Sequence, residues 1–312
     1  MNSSRRPGMT LIEVLTVLAV IGLLFAILLP ALSAGRGASR KLACQNNLKQ
    51  IGVGLASYLG VYDSFPPAQS AYGFSVFASL LPYMEQSPLY NSINFIGGPY
   101  SGLSSIGHFP ISIPALVCPE DNPVPARGVQ GWTNYAASRG SGLQKYGENG
   151  AFIGPPGATT ASRDFSDGLG NTAMVSEWVT GYNSSGPPAT NRIVYQTDRK
   201  YPEPDQLDQF ALECHNLDLS QARDSTIRKG ENLFHGELGL SLYNHVLSIN
   251  DHSCLNGTGY QIGAWTAGSL HRHGANTLLG DGSCRFFIDS VELNVWRSIG
   301  SRNGGEQISW DN

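Results

Sequence analysis

The chain is poor in charge. Only 14% of its 312 residues are Asp, Glu, Lys or Arg, and Lys+Arg 20 against Asp+Glu 24 leaves a net charge of −4. With no basic field to follow a phosphate backbone, nucleic acid is not an expected partner. The five cysteines include no C-x-x-C pair, and neither an H-E-x-x-H helix nor a G-x-S-x-G turn is present. A local structural zinc site, a zincin centre and a hydrolase nucleophile elbow therefore have no motif behind them. Internal repeats and low-complexity tracts are also missing. Abundant instead are glycine, at 37, and proline, at 18, in a chain that is 41% hydrophobic. Such a balance supports a packed core built from short strands and many turns.

Long apolar runs are limited to one. Met9 to Leu29 carries a single ionisable side chain, Glu13. As a helix the run rises about 32 Å, enough to span a hydrocarbon layer. A carboxylate there costs about 2.5–3.5 kcal/mol, so it needs either a partner or escape to the interface by snorkelling. Arg5 and Arg6 precede the run while Arg36, Arg40 and Lys41 follow it, so charge bias does not set orientation. Cleavage near Ala31, Ser33 and Ala34 would release a soluble secreted protein, but the run is longer than a secretory h-region and Glu13 argues against it.

A short basic leader ending in Gly8, followed by Met9, Thr10, Leu11, Ile12 and Glu13, resembles the cleavage and methylation site of bacterial type IV pilins and type II secretion pseudopilins. That resemblance implies a prepilin peptidase that cuts between Gly8 and Met9 on the cytoplasmic side and methylates the new amino terminus. Family members mostly have phenylalanine where this chain has Met9. Glu13 is then the fifth mature residue and Pro30 the twenty-second, positions where the family carries those residues. Implied partners are the peptidase, membrane lipid and other pilin-like subunits, with Glu13 paired to the Met9 amine of a neighbour and Ala19, Gly22 and Ala26 allowing close helix packing. The implied place is the inner membrane, crossed once, with the body periplasmic or at the cell surface.

Beyond Pro30, Cys44, Leu48, Ile51, Leu55, Tyr58 and Tyr62 recur at spacings of three and four, one buried stripe of a helix that Gly60 and Phe65-Pro66-Pro67 then end. The expected organisation is a leader over 1–8, a transmembrane helix over 9–29, a stalk helix over 30–61 and a head over 62–312. The fold class is α+β: a long amino-terminal helix on a loop-rich, mainly antiparallel sheet. A more polar stretch over 198–260 reads as an inserted subdomain with a helical face at Leu207, Phe210, Ala211 and Cys214. Extended segments are expected at FPISIPALVCPED, WTNYAAS, GAFIG and NTAMVSEWVTG. Over 271–289, two apolar runs joined by Asp281-Gly282 predict a hairpin with a two-residue I′ turn.

The body, from CQNNLKQIGVGLASY to HRHGANTLLGDGSCRFF, also resembles a large bacterial family of prepilin-like proteins with a carboxyl-terminal H-x9-DG signature and a domain of unknown function. His271, Asp281 and Gly282 fit that signature. In an extended strand, nine intervening residues hold His271 and Asp281 about 30 Å apart, which makes the signature a folding element rather than an acid/base pair.

The cysteines would lie where disulfides persist. Cys44 with Cys118 would tie stalk to head, and Cys214 with Cys254 would close the inserted region; alternatively these are small buried residues. His235, His245 and His252 cluster in sequence, and His271 and His273 would share a strand face, but no tight ligand triplet forms and no metal is expected. Asp164, Asp167, Glu177 and Asp281 could serve calcium, as in some major pseudopilins, yet no D-x-D-x-D-G loop supports it, so no cofactor is expected. Two functions remain: a non-enzymatic pilin-like structural subunit of a secretion or pilus-like filament, or a membrane-anchored binding module that never assembles, its Trp132, Trp178, Trp265 and Trp296 stacking sugars.

Overall fold

The structure, a computed structural model, describes residues 11–99, 111–121, 131–143, 149–181, 190–198, 200, 201, 203–222, 228–257 and 259–306. The chain divides into two compact units, 1–42 and 43–312. Helix α1, Leu11–Tyr62, contributes to both. In the first unit, Leu11–Leu29 is apolar and wholly exposed, long enough to cross a membrane.

The second unit begins on the predicted stripe. Cys44, Leu48, Ile51 and Leu55 are buried, with Tyr58 partly so. Tyr62 is exposed instead, because the helix stops there: Asp63 takes the left-handed conformation, φ 53°, and its N–H closes on the carbonyl of Leu59 at 2.9 Å. Gly52 matters for packing, since a Cβ there would lie 3.0 Å from Leu278. A helix-weakening glycine thus admits a neighbouring strand to close range. Short helices follow at α2, Val76–Leu80, and α3, Ser87–Ser92. Ser75 caps α2 by accepting from the N–H of Ala78 at 3.1 Å, and Pro82 ends it by starting a 3₁₀ turn over Leu81–Met84.

Eight strands are described: β1, Tyr135–Ser138; β2, Ala173–Glu177; β3, Val194–Gln196; β4, Leu242–Tyr243; β5, Ser253–Asn256; β6, Gly259–Ala264; β7, Gly274–Leu279; and β8, Cys284–Ile288. Five form one sheet in the order β4-β1-β2-β7-β8, antiparallel except where β4 runs parallel to β1. The others form β3-β5-β6, with β3 parallel to β5 and β5 antiparallel to β6. The protein is therefore α+β with mainly antiparallel pairing. Helix α4, Leu207–His215, buries Phe210, Ala211 and Cys214 in a second core with Tyr195, Val246, Leu247 and Cys254. Helix α5, Leu293–Gly300, buries Trp296 and Ile299.

Four expectations need correction. Residues 198–260 do not form a self-contained insertion: Leu233, Phe234 and Tyr243 lie in the large core, and β4 hydrogen-bonds to β1 through Ala137 N–H to Ser241 O and Arg139 N–H to Tyr243 O, both 2.9 Å. The second sheet also begins before that stretch, at β3, and ends after it, at β6. FPISIPALVCPED gives a bridge at Ile111 and a 3₁₀ turn at Pro114–Leu116 rather than a strand, since each proline removes a ladder donor. GAFIG forms bends. His271 and His273 precede β7 rather than sharing its face; His271 is buried while His273, at φ 59°, is exposed.

Candidate functional site

Gly8 and Met9, the expected cleavage pair, lie outside the described residues. Glu13 stands in the first turn of α1 on an exposed surface, among exposed Leu11, Ile12, Leu15 and Val17. A Cβ on Gly22 would meet no atom within 4 Å, so that face is open for close approach by another helix.

Around His271 the second unit assembles a buried polar centre. Cys44, from α1, is disulfide-bonded to Cys118 with Cα atoms 5.1 Å apart. Both backbones are pinned: Tyr135 Oη donates to Cys44 O at 3.1 Å, and Cys118 N–H donates to Asn134 Oδ1 at 3.0 Å. His271 Nε2 lies 3.8 Å from Cys118 Sγ and 3.5 Å from Glu177 Oε1. Glu177, at the end of β2, is 1% exposed. Its Oε2 accepts from Asn276 N–H at 2.7 Å, and Asn276 Nδ2 lies 3.1 Å from both oxygens. A carboxylate so placed costs several kcal/mol unless its hydrogen bonds are made, and Asn276 on neighbouring β7 makes them. Burial, and next the charge of Glu177, push the thiol of Cys284 up to about 12.

At the far end of β7 the hairpin closes differently from the I′ expectation. Gly282 N–H bonds Leu279 O at 3.0 Å and Leu279 N–H bonds Ser283 O at 2.8 Å. Of Asp281 and Gly282 only the glycine has positive φ, at 83°. The loop is thus a three-residue type I turn followed by a left-handed glycine. Asp281 Oδ1 accepts from Ser283 N–H at 2.8 Å. Burial raises its pKa, but the Ser283 hydrogen bonds and Arg285 outweigh this and lower it. The two signature residues therefore sit at opposite ends of one strand, each with its own partners.

The other candidates separate likewise. His245 donates its Nδ1 proton to Trp296 O at 2.9 Å, and burial drives its pKa to about 3, so it stays neutral. His252 joins Asp251 to the Cys214 carbonyl beside the Cys214–Cys254 disulfide, and His235 lies 3.9 Å from Glu237. Asp164 accepts from Ala161 N–H, and Asp167 from Gly304 and Gly305 N–H, so these carboxylates serve separate backbone turns. A groove of about 260 Å³ beside α4 holds His215, Asp251, Asp208 and Arg297, with His215 on Asp251 at 2.7 Å and Arg297 on Asp208 at 2.5 Å.

Sequence reasoning passed over a second buried polar centre. Asp121 accepts from Asn134 Nδ2, Thr180 N–H and Thr180 Oγ1 and pairs with Arg192 at 2.6 Å. Lys229, 1% exposed, donates from Nζ to the carbonyls of Asn191 and Thr266 at 2.7 and 3.3 Å. The available signal was a polar residue inside an apolar strand segment, Asn134 in WTNYAAS.

A family profile described as a protein of unknown function, DUF1559, matches residues 33–294. The chain belongs to the DUF1559 family. Its domain is the H-x9-DG type, and His271, followed after nine residues by Asp281-Gly282, fits that spacing. Residues 3–29 match the prokaryotic N-terminal methylation motif, which makes this a prepilin-like, type IV pilin-type DUF1559 protein. No curated protein and no solved structure shows a significant match.

Proposed function

We propose that this DUF1559 protein is a non-enzymatic, membrane-anchored pilin-like subunit that is cut between Gly8 and Met9, methylated at Met9 and assembled into a secretion or pilus-like filament. The supporting observation is the methylation motif over 3–29 running into an exposed apolar helix with one carboxylate, Glu13. Inserted in a bilayer, Glu13 gains from the amine of a neighbouring subunit's Met9, and that pairing sets the register of the stack. The leader lies on the cytoplasmic side and residues 43–312 on the other, where their disulfides persist. The sugar-stacking alternative loses its support: Trp178, Trp265 and Trp296 are at most 1% exposed and Trp132 is 7% exposed, so none offers a ring face to a saccharide.

The test is mass spectrometry of the mature amino terminus in a host with active prepilin peptidase, combined with in-membrane crosslinking. A terminus at N-methylated Met9, and a several-fold loss of crosslinked oligomer in Glu13→Ala, are expected. A chain that keeps residues 1–8, or unchanged oligomer yield in the variant, contradicts the assembly reading.

A further inference from the structure

Among the described residues, potential metal ligands converge at two places, Cys44 with Cys118, Glu177 and His271, and Cys214 with His252 and Cys254. We propose that the reduced chain binds one zinc ion through Cys44, Cys118, Glu177 and His271, and that this zinc-bound form and the Cys44–Cys118 disulfide are alternative states of the same residues. The proposal stands apart from the filament reading and rests on geometry within the second unit.

Two thiolates, one imidazole and one carboxylate make a four-ligand set of the kind zinc takes. With metal–ligand bonds of about 2.0–2.3 Å, the edges of such a tetrahedron are about 3.3–3.8 Å. Two edges fall in that range: 3.8 Å from Cys118 Sγ to His271 Nε2 and 3.5 Å from His271 Nε2 to Glu177 Oε1. All four ligand atoms lie within 4.8 Å of one another, and all four residues are buried. Once their bond is reduced, the two sulfurs part to about 3.8 Å. Glu177 is already held for the task, with Oε2 tied to Asn276 N–H and Oε1 turned to the histidine. Orienting contacts of this type commonly matter tenfold or more for metal affinity.

The other cluster fits poorly. His252 Nε2 is 2.6 Å from Cys214 O and its Nδ1 is 3.1 Å from Asp251 Oδ1, so neither ring nitrogen is available, and among the described residues no fourth ligand converges there.

The chemistry balances without a hidden reagent. The reduced dithiol loses two protons as Zn²⁺ binds its two sulfurs. Oxidation by a disulfide reagent then takes two electrons from the thiolates, forms the Cys44–Cys118 bond, releases Zn²⁺ and leaves the reagent as two thiolates.

Full-length protein in detergent micelles is reduced with a phosphine and titrated with Co²⁺, then with Zn²⁺. Expected are one tightly held equivalent in the reduced form and none in the oxidised form, with tetrahedral cobalt absorption and thiolate-to-cobalt charge transfer that zinc abolishes. His271→Ala and Glu177→Gln should each weaken binding about tenfold or more, whereas Cys214→Ser/Cys254→Ser should leave the spectrum unchanged. Should reduction alone unfold the chain, added zinc must restore the circular dichroism of the oxidised protein. Equal metal uptake by reduced and oxidised protein, failure of zinc to restore a reduced unfolded chain, or undiminished uptake by Cys44→Ser/Cys118→Ser overturns the proposal.

Discussion

At Lys229 a cation lies in the interior between backbone carbonyls, with Asp121 and Arg192 nearby. Burial lowers its pKa to about 7, with Asp121 opposing the shift and Arg192 adding to it. In the unfolded chain a lysine titrates near ~10.4. Between these values the unfolded state holds a proton that the folded state lacks, so stability rises with pH from about 7 to about 10, by at most about 1.4 kcal/mol per unit. Below about 7 both states are protonated, and the cost of the buried charge is constant. Urea unfolding at several pH values across this window should give a rising stability in the wild type and a flatter profile in Lys229→Met; identical slopes would refute the assignment. His252 acts in the opposite sense. Burial lowers its pKa, but the bonds to Asp251 and Cys214 O outweigh this and raise it. Its stabilising contribution is complete below about 6.5 and fades as pH climbs through the folded value, so the wild-type-to-variant difference, not the raw profile, isolates Lys229. The lysine's burial was invisible in the polar run ARDSTIRKGEN, because nothing local distinguishes a solvated lysine from one enclosed by residues brought from elsewhere.

Among the elements, the β7–β8 hairpin separates two uses of glycine. Gly282 has φ 83° and no atom within 4 Å of where a Cβ would stand, so a side chain there costs conformation alone. Gly282→Val should lose about 1–2 kcal/mol and about 2–8 °C in melting temperature, with Gly282→Asn recovering most of it because asparagine tolerates the left-handed region. Gly280 is different: a Cβ there would lie 2.9 Å from the backbone oxygen of Leu169. Gly280→Ala and Gly280→Asn should both destabilise, without rescue. Equal behaviour of asparagine at the two positions, read by calorimetry, would contradict this division. The Asp-Gly pair marked the hairpin in the sequence, but its turn type depended on where the ladder ends, with Leu278 opposite Cys284.

For the molecule as a whole, two disulfides close loops with sequence separations of 74 and 40 residues. Chain entropy assigns each about 4 kcal/mol, large against a typical folding stability of about 5–15 kcal/mol. Cys44→Ser/Cys118→Ser should therefore lower the denaturation midpoint substantially and expose the helical stripe at Leu48, Ile51 and Leu55 to proteolysis. A variant that kept wild-type stability and protease resistance would show that apolar packing of α1 suffices. Cys284, the free cysteine among the described residues, should stay slow to alkylate below about pH 9, since its thiol is raised to about 12 by burial and then by Glu177.

The sequence by itself determined the features that depend on near neighbours along the chain. These are the apolar span with its lone glutamate, the motif ahead of it, the three-and-four spacing from Cys44 to Leu55, and a hairpin around Asp281-Gly282. Helical periodicity and turn chemistry arise from contacts a few residues apart, so they can be read in one dimension. Only the tertiary structure decided that Cys44 from a helix, Cys118 from a turn, Glu177 from a strand end and His271 from a loop share one buried centre, and that four tryptophans face inward. No spacing rule links residues so far apart, and a polar side chain in a strand reads the same whether it meets water or a partner. The second core likewise draws on Leu143, Tyr195 and Ala264, outside the polar stretch that marked an insertion, because strands pair by edge and register rather than by sequence neighbourhood.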